Sequence, residues 1–329
     1  MKETVKTLLQ HKDKTVPILS FPSAQLLGIS VKELISSAAR QAEGMQAIAS
    51  RCPVGASLNM MDLSVEAEAF GAKIRVSEKE NPTVEKGVID DIGDAASVVV
   101  PAVGAGRTGI CVEGVRLAKR QLGEKPVFCG AIGPYSLAGR LFDMTELMMD
   151  CFDSPDEVKI LLGKCASFIA SYIKAFQEAG ADGVILAEPA AGLLSPDLAE
   201  EFSTPFVKEI FDEVNRDDFV VCYHNCGRSA GDMIPSLAAL HADIYHFGNA
   251  VDLKQALTEM PADRVVMGNV DPVLFRLGTP EQIRSEVQRV YDECAACPNF
   301  MISSGCDIPA ASSWENIDAY FDKVNELYA

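Results

Sequence analysis

Three side chains suited to zinc come at the ends of two predicted strands. His224 and Cys226 end the apolar run that starts at residue 219, and Cys306 ends a similar run that starts at residue 300. His224 and Cys226 are two residues apart, so both point to the same side of an extended segment. Imidazole nitrogen and thiolate sulfur are ligands that Zn²⁺ prefers, and three protein ligands leave its fourth position open for chemistry. The spacing therefore indicates a catalytic metal site.

Cysteine pairs can also arise without any metal. The chain has ten cysteines in 329 residues, and buried cysteine is a common small apolar residue. Cys294 and Cys297 form a C-x-x-C pair, but they end a helical pattern, and no second close pair follows to complete a structural zinc site. Spacing alone therefore does not decide whether His224, Cys226 and Cys306 bind a metal or are packing residues.

Other polar residues at predicted strand ends are candidates for the same site. Glu188 is either a displaceable metal ligand, an acceptor for the ring N–H of His224, or a helix cap. Arg228 either anchors an anionic tail of a substrate or lies in a solvated loop. Asn269 and Asp271 follow another apolar run, and we expect them to contribute to substrate binding.

Composition excludes several classes of function. The formal net charge is −18 and is spread along the chain, which argues against nucleic-acid binding. The first ten residues lack the apolar core of a signal peptide, and no uncharged apolar stretch is long enough to span a membrane. We expect a soluble cytoplasmic protein without a membrane partner, whose cysteines are reduced and available to a metal.

Short apolar strands alternate with amphipathic helices along the chain. Strands are predicted at 127–134, 183–189, 244–248 and 265–268. The order strand, helix, strand implies a parallel sheet whose outer surface is covered by helices.

Helix starts are marked by capping residues. Ser195 precedes a proline, which is a favourable N-cap and first-turn pair. Ser154 and Thr279 each precede Glu or Gln by three residues, which predicts two capping boxes. The helix after Ser154 has one apolar face and is predicted to stop at Gly180.

An open doubly wound sheet and a closed barrel both satisfy this pattern. The candidate groups come at the carboxyl ends of at least four strands. Those ends converge on one mouth in a (β/α)8 barrel, whereas an open sheet would spread them along an edge. We therefore predict that residues 1–329 form a single α/β domain, a (β/α)8 TIM barrel with an N-terminal helical extension.

Several segments carry a family resemblance that covers nearly the whole chain. Residues 62–71, the turn at 130–134 and the sequence at 268–272 resemble the uroporphyrinogen decarboxylase superfamily, whose members are single (β/α)8 barrels. Within it, His224, Cys226 and Cys306 resemble the zinc motif of the methylcobamide:coenzyme M methyltransferases. This resemblance implies Zn²⁺ as cofactor, a methylcobamide on a partner corrinoid protein as methyl donor, and a small thiol as acceptor.

Two alternatives remain. Asp62 matches the acidic residue that faces the pyrrole nitrogens in the decarboxylase branch, which implies a catalytic role, although it could equally cap the helix that follows. That branch also has an arginine-containing motif near its first strand, and residues 15–31 contain no Arg or Lys. The second alternative is a non-catalytic barrel that binds zinc or a corrinoid.

Overall fold

The centre of the molecule is a parallel β-sheet. The structure is a computed structural model and describes residues 1–12 and 14–329. The strands are β1 (Ser57–Leu58), β2 (Lys73–Arg75), β3 (Thr83–Lys86), β4 (Val127–Ile132), β5 (Gly183–Ala187), β6 (Val220–Asn225), β7 (Ile244–Phe247), β8 (Val265–Val270) and β9 (Phe300–Ser304). Strands β1 and β4–β9 form the main sheet in chain order, and β2 and β3 form a separate antiparallel ribbon.

The sheet curls on itself, and the segment 15–20 joins its two edges. On the β1 side, the Gly55 amide donates to the Thr15 carbonyl at 2.9 Å. On the β9 side, the Ile18 amide donates to the Ser304 hydroxyl at 3.0 Å. This segment stands where an eighth strand would stand. The predicted α/β barrel is confirmed, and sequence alternation alone did not show that an irregular segment completes it.

Helices cover the outside of the sheet. They are α1 (Glu3–Gln10), α2 (Ser23–Leu27), α3 (Val31–Ile35), α4 (Ala38–Arg51), α5 (Val65–Ala69), α6 (Thr108–Leu122), α7 (Pro134–Leu141), α8 (Met144–Asp153), α9 (Pro155–Glu178), α10 (Pro196–Phe202), α11 (Thr204–Val214), α12 (Ile234–Leu237), α13 (Leu253–Glu259), α14 (Pro272–Leu277), α15 (Pro280–Cys294) and α16 (Trp314–Tyr328). Short 3-10 turns occupy Ile92–Ser97, Pro189–Leu193, Ala230–Met233 and Ala238–Leu240. In the described part of the chain, no helix is both long and apolar enough to cross a membrane.

Helix α9 buries the apolar face that its sequence predicts. Its predicted apolar face is buried and packs against α7, α8 and α11. The chain leaves the helix through Gly180, whose φ of 95° lies in the left-handed region that favours glycine. The predicted extent of this helix is therefore confirmed.

The two predicted capping boxes have different outcomes. Thr279 accepts from the Gln282 amide, and the Gln282 side chain accepts from the Thr279 amide, so that box is confirmed. The box at Ser154 is wrong, because its side chain makes no capping bond. Ser154 is the one residue between α8 and α9, and its ψ of 55° lacks the extended conformation of an N-cap.

Helix α1 lies at the amino-terminal end of the barrel. Its buried Val5 and Leu8 pack in one cluster with strand side chains, including Val220 and Val265 at the starts of β6 and β8. This cluster extends through the barrel interior as far as Ile18, Met61 and Ala187, near the carboxyl end. The opposite, carboxyl end is left for polar side chains.

Candidate metal centre and cavity

The ends of two strands, β6 and β9, supply the three candidate ligands, and β7 and β8 lie between them in the sheet. His224 is near the end of β6, and Cys226 is the first residue after this strand. Cys306 is the second residue after β9. Because parallel strands end at the same edge, the barrel brings residues 80 or more positions apart into one cluster.

The three donor atoms lie at separations that fit zinc. Cys306 Sγ is 3.5 Å from His224 Nε2 and 3.5 Å from Cys226 Sγ, and all three atoms lie within 4.8 Å of one another. Tetrahedral Zn²⁺ with ordinary Zn–S and Zn–N bonds places two sulfurs about 3.8 Å apart and sulfur and nitrogen about 3.6 Å apart. The donor set and its spacing therefore fit this metal.

His224 is oriented by its neighbour His246. Its Nδ1 faces the His246 carbonyl oxygen at 3.2 Å, which leaves Nε2 directed at the two cysteines. The His246 ring lies 4.6 Å from the His224 ring, and its Nε2 donates to the Ser304 carbonyl at 2.6 Å. Burial and the neighbouring His224 hold the pKa of His246 well below its usual value, so the ring is neutral. These contacts set the ring orientation that metal binding needs.

The two thiols share a hydrogen bond. Donation from Cys306 to Cys226 raises the pKa of Cys306 to about 12, together with burial. The same bond lowers the pKa of Cys226, which accepts it. This hydrogen bond therefore favours the thiolate form at Cys226 over the thiolate form at Cys306.

A cavity of about 240 Å³ opens beside the cluster. It is lined by the three candidate ligands and by Ile18, Met61, Asp62, Leu63, Asn81, Pro82, Arg140, Ala187, Pro189 and Asp307. A larger hollow of about 450 Å³ lies beneath α1 at the other end of the barrel. Among the described residues, the one group of metal-ligating side chains lies beside the smaller cavity, which we take as the site.

Asp62 lines this cavity but is held by other protein groups. One carboxylate oxygen accepts from the Ser64 amide at 3.0 Å and from its hydroxyl at 2.6 Å. The other oxygen pairs with the guanidinium of Arg107, which also binds Glu68. Asp62 therefore lines the cavity, and its bonds go to Ser64, the residue before α5, and not to the amides of the first turn of that helix.

Glu188 lies behind the cavity wall and not on it. Its two carboxylate oxygens accept from the backbone amides of Tyr135 and Ser136 in the first turn of α7. Since His224 Nδ1 faces His246, Glu188 is not the acceptor for that ring, and the sequence-based suggestion is corrected here. The carboxylate caps α7, the helix before it in the chain. Burial raises the pKa of Glu188 to about 7.

The three expected substrate-binding residues lie outside the cavity lining. Asn269 is buried and donates to the carbonyls of Gly248 and Val251. Asp271 caps α14 by accepting from the Val273 amide. Arg228 is exposed in the turn after β6. Local bonding therefore occupies Asn269 and Asp271, and solvent surrounds Arg228.

Sequence reasoning missed three polar residues of the cavity. Arg140 lies near the end of α7, and Asn81 lies between β2 and β3. Asp307 directly follows Cys306, and its Oδ2 accepts from the Asn81 side chain at 3.0 Å. Adjacency to Cys306 could have indicated Asp307. For Arg140, the available signal was the Gly-Pro turn that starts α7 at the mouth of the barrel.

One imidazole and two thiols at the carboxyl end of a parallel barrel form a candidate metal centre. Similarity to known proteins defines the family. The family model described as Uroporphyrinogen decarboxylase (URO-D) matches residues 3–327. The chain therefore belongs to the uroporphyrinogen decarboxylase family, as its sequence resemblance indicated.

Relatives of two activities are similar to this chain. The "Methylcobamide:CoM methyltransferase MtbA" of Methanosarcina acetivorans is 28% identical over 261 residues, covering 78% of this chain and 75% of that protein. A uroporphyrinogen decarboxylase of Carboxydothermus hydrogenoformans is 27% identical over 287 residues, covering 83% and 79%. Both relatives are enzymes, which supports an enzymatic function for this family member.

A solved structure supports the fold. The "methyltransferase from Methanosarcina mazei" matches with a TM-score of 0.87 over 100% of both chains, at 21% sequence identity. The barrel and its surrounding helices are therefore shared along the whole length.

Proposed function

We propose that this protein is a zinc-dependent methyltransferase that moves a methyl group from a methylated corrinoid, held on a corrinoid protein, to a small thiol such as coenzyme M. The observation that carries the proposal is the cluster of His224, Cys226 and Cys306, whose donor atoms lie within 4.8 Å of one another. Similarity to the "Methylcobamide:CoM methyltransferase MtbA" of Methanosarcina acetivorans supports the same reaction.

The three ligands would hold Zn²⁺ with one position free for the acceptor. Bound zinc lowers the pKa of a thiol, so that the nucleophilic thiolate is present at neutral pH. His224 is kept in the required orientation by the His246 carbonyl. The apolar cavity walls from Ile18, Met61 and Ala187 limit water around the acceptor sulfur.

The overall reaction transfers one methyl group and releases one proton. The acceptor thiol loses its proton, and its sulfur forms a bond to the methyl carbon. The cobalt–carbon bond breaks, and its electron pair stays on cobalt, which changes from Co(III) to Co(I). The barrel mouth contributes position, because sulfur must approach the methyl group in line with the breaking bond.

A decarboxylase is the second candidate. The presence of Asp62 in the cavity and the decarboxylase relatives favour it. However, the protein itself occupies both oxygens of Asp62. A cavity of about 240 Å³ is also below the roughly 300–1,000 Å³ typical of sites for drug-sized ligands. A small acceptor fits it better than a tetrapyrrole does.

The first experiment measures zinc per chain in the wild type and in the variants His224→Ala, Cys226→Ala and Cys306→Ala. We expect one zinc in the wild type and loss of binding in each variant. Cys297→Ala is the matched control, because this half-buried cysteine lies outside the cluster. Cobalt(II) substitution adds a spectroscopic readout, since sulfur-to-metal absorption should weaken when either cysteine ligand is removed.

The second experiment follows demethylation of methylcobalamin by its visible spectrum, with coenzyme M and other thiols. We expect thiol-dependent formation of cob(I)alamin by the zinc-loaded wild type. A wild type that binds no zinc would overturn the metal site and favour the decarboxylase. Stoichiometric zinc without any demethylation, even with a corrinoid protein present, would favour a non-catalytic barrel.

A further inference from the structure

Arg140 is a cation in the wall of the cavity whose terminal nitrogens have no protein partner. It lines the same cavity as His224, Cys226 and Cys306. Its Nε donates to the Leu63 carbonyl at 2.9 Å, which fixes the direction of the guanidinium. Among residues 1–12 and 14–329, neither terminal nitrogen makes a hydrogen bond or an ion pair, and neither is sealed from solvent.

Nearby carboxyls do not bind this guanidinium directly. Asp62, Glu66 and Glu188 contribute to its electrostatic surroundings, yet within the described chain none of them comes within ion-pair distance of it. Asp62 is paired with Arg107, and the amides of α7 hold Glu188. A positive charge with free donors therefore faces a site in which Asp62 and Glu188 are already bound by other protein groups.

We propose that Arg140 binds the anionic tail of the methyl acceptor, which would be a short thiol with a sulfonate or carboxylate at its other end. This inference rests on the proposed function and adds to it the residue that recognises the tail of the acceptor. A guanidinium donates two parallel hydrogen bonds to such an anion, and charge assistance strengthens them. The sulfur end lies at the three candidate ligands and the anionic end at Arg140.

The location of Arg228 makes it a poor alternative anchor. The sequence made Arg228 a candidate anchor because it follows His224 and Cys226 by a few residues, and the structure places it in an exposed turn outside the cavity lining. A surface cation is screened by water and salt. Arg140 is largely buried, so its attraction for an anion is stronger.

The cavity also contains a group that would attract a tail of opposite charge. Asp307 has one carboxylate oxygen without a hydrogen-bond partner in the described residues. This oxygen is sealed from solvent, so Asp307 is a weaker anchor for an ammonium tail than Arg140 is for an anionic tail. A comparison of thiols of similar length and different charge therefore distinguishes an anionic tail from a cationic tail.

Binding of ethanesulfonate tests the anion site without any methyl transfer. This probe has the sulfonate tail and no thiol, so its affinity depends on neither turnover nor the acceptor sulfur. By calorimetry on the zinc-loaded protein, we expect Arg140→Met to weaken binding about 10- to 100-fold, the range of a lost charge-assisted hydrogen bond. Arg228→Met is the matched control and should bind the probe like the wild type.

Turnover gives the second readout. We compare kcat/KM for 2-mercaptoethanesulfonate with that for 2-mercaptoethanol and for cysteamine. The wild type should prefer the sulfonate, and Arg140→Met should reduce this preference about 10- to 100-fold. Arg140→Lys keeps the charge without the planar fork and should retain an intermediate preference.

Two outcomes would overturn the assignment. One is an equal affinity of wild type and Arg140→Met for ethanesulfonate, with both proteins folded by circular dichroism. The other is a wild type that prefers cysteamine, which would assign the tail to Asp307. If ethanesulfonate binds through Arg140 but no thiol is methylated, the anion site stands and the proposed reaction fails.

Discussion

Buried carboxyls stand behind the cavity wall, and their ionisation affects the stability of the folded chain. Glu66 is fully buried in α5; one of its oxygens accepts from the Ile132 amide, and the other has no partner among the described residues. Burial raises the pKa of Glu66 from 4.5 to about 7. Ionising this side chain is therefore costly in the folded state and easy in the unfolded state.

The first prediction is that Glu66→Gln flattens the dependence of stability on pH. Below pH 4.5, Glu66 is protonated in both states, and between pH 4.5 and about 7 only the unfolded state ionises. Wild-type stability should therefore fall as the pH rises through this window, by roughly 3 kcal/mol for a pKa difference of this size. Urea unfolding from pH 4.5 to pH 8 measures the free energy of unfolding at each pH.

A matched control isolates the effect of Glu66. Glu200 is an exposed carboxyl, and Glu200→Gln should keep the pH profile of the wild type. Glu66→Gln should be more stable than the wild type at pH 8 and similar to it at pH 4.5. If the profile of Glu66→Gln instead follows the wild type over the whole range, Glu66 does not titrate in this window.

At the scale of elements, the loops after neighbouring strands pack so closely that only glycine fits between them. A Cβ added at Gly248, just after β7, would lie 2.6 Å from the Cα and Cβ of Cys226. The Gly248 amide also donates to the Asn225 carbonyl at 3.2 Å. The loop after β7 therefore sets the position of Cys226, although it supplies no ligand itself.

The second prediction is that Gly248→Ala weakens zinc binding while all three ligands remain. The added methyl group must displace Cys226 from its place beside Cys306 and His224. We expect a 10- to 100-fold loss of affinity, the range found when groups that orient metal ligands are changed. Competition with a chromogenic chelator measures the zinc affinity of the wild type and the variant.

Gly163→Ala is the control for this glycine. Gly163 lies within α9, and an added Cβ there meets nothing within 4 Å. This substitution should leave zinc affinity unchanged and raise the free energy of unfolding by about 0.5–1 kcal/mol, because alanine favours a helix. Equal zinc affinities of Gly248→Ala and Gly163→Ala would show that the loop does not position Cys226.

At the scale of the whole molecule, the two ends of the barrel differ: one contributes apolar packing, and the other contains the candidate metal site. The amino-terminal end is closed by α1, whose Val5 and Leu8 join the apolar cluster inside the barrel. The carboxyl end contains the candidate metal ligands and the cavity. Stability and metal binding should therefore respond to different substitutions.

The third prediction is that Leu8→Ala destabilises the fold without changing the zinc content. Leu8 is buried, and truncation of a buried leucine costs about 2–5 kcal/mol. Chemical unfolding and metal analysis on the same samples measure both quantities. Lys6→Ala on the exposed side of α1 should change stability by less than about 1 kcal/mol. Loss of zinc from folded Leu8→Ala would contradict the separation of the two ends.

Residue type and spacing predicted the alternation of strands and helices, favoured a barrel over an open sheet, and indicated His224, Cys226 and Cys306 as candidate ligands. They could do so because an apolar period reports the buried face of each element, and because all parallel strands end on one side. Glu188 and Arg228 show the limit of such local signals. The roles expected for these two side chains depended on what surrounds them, and the chain near them does not contain that information.

Only the tertiary structure placed Arg140 in the cavity, paired Asp62 with Arg107, and set Glu188 at the start of α7. It also showed that the segment 15–20 completes the barrel. Each of these contacts joins residues about 40 or more positions apart, and small changes of register or helix rotation would redirect the side chains. Their positions are decided when the sheet closes and the helices pack on it, because closure selects which distant side chains share the same space.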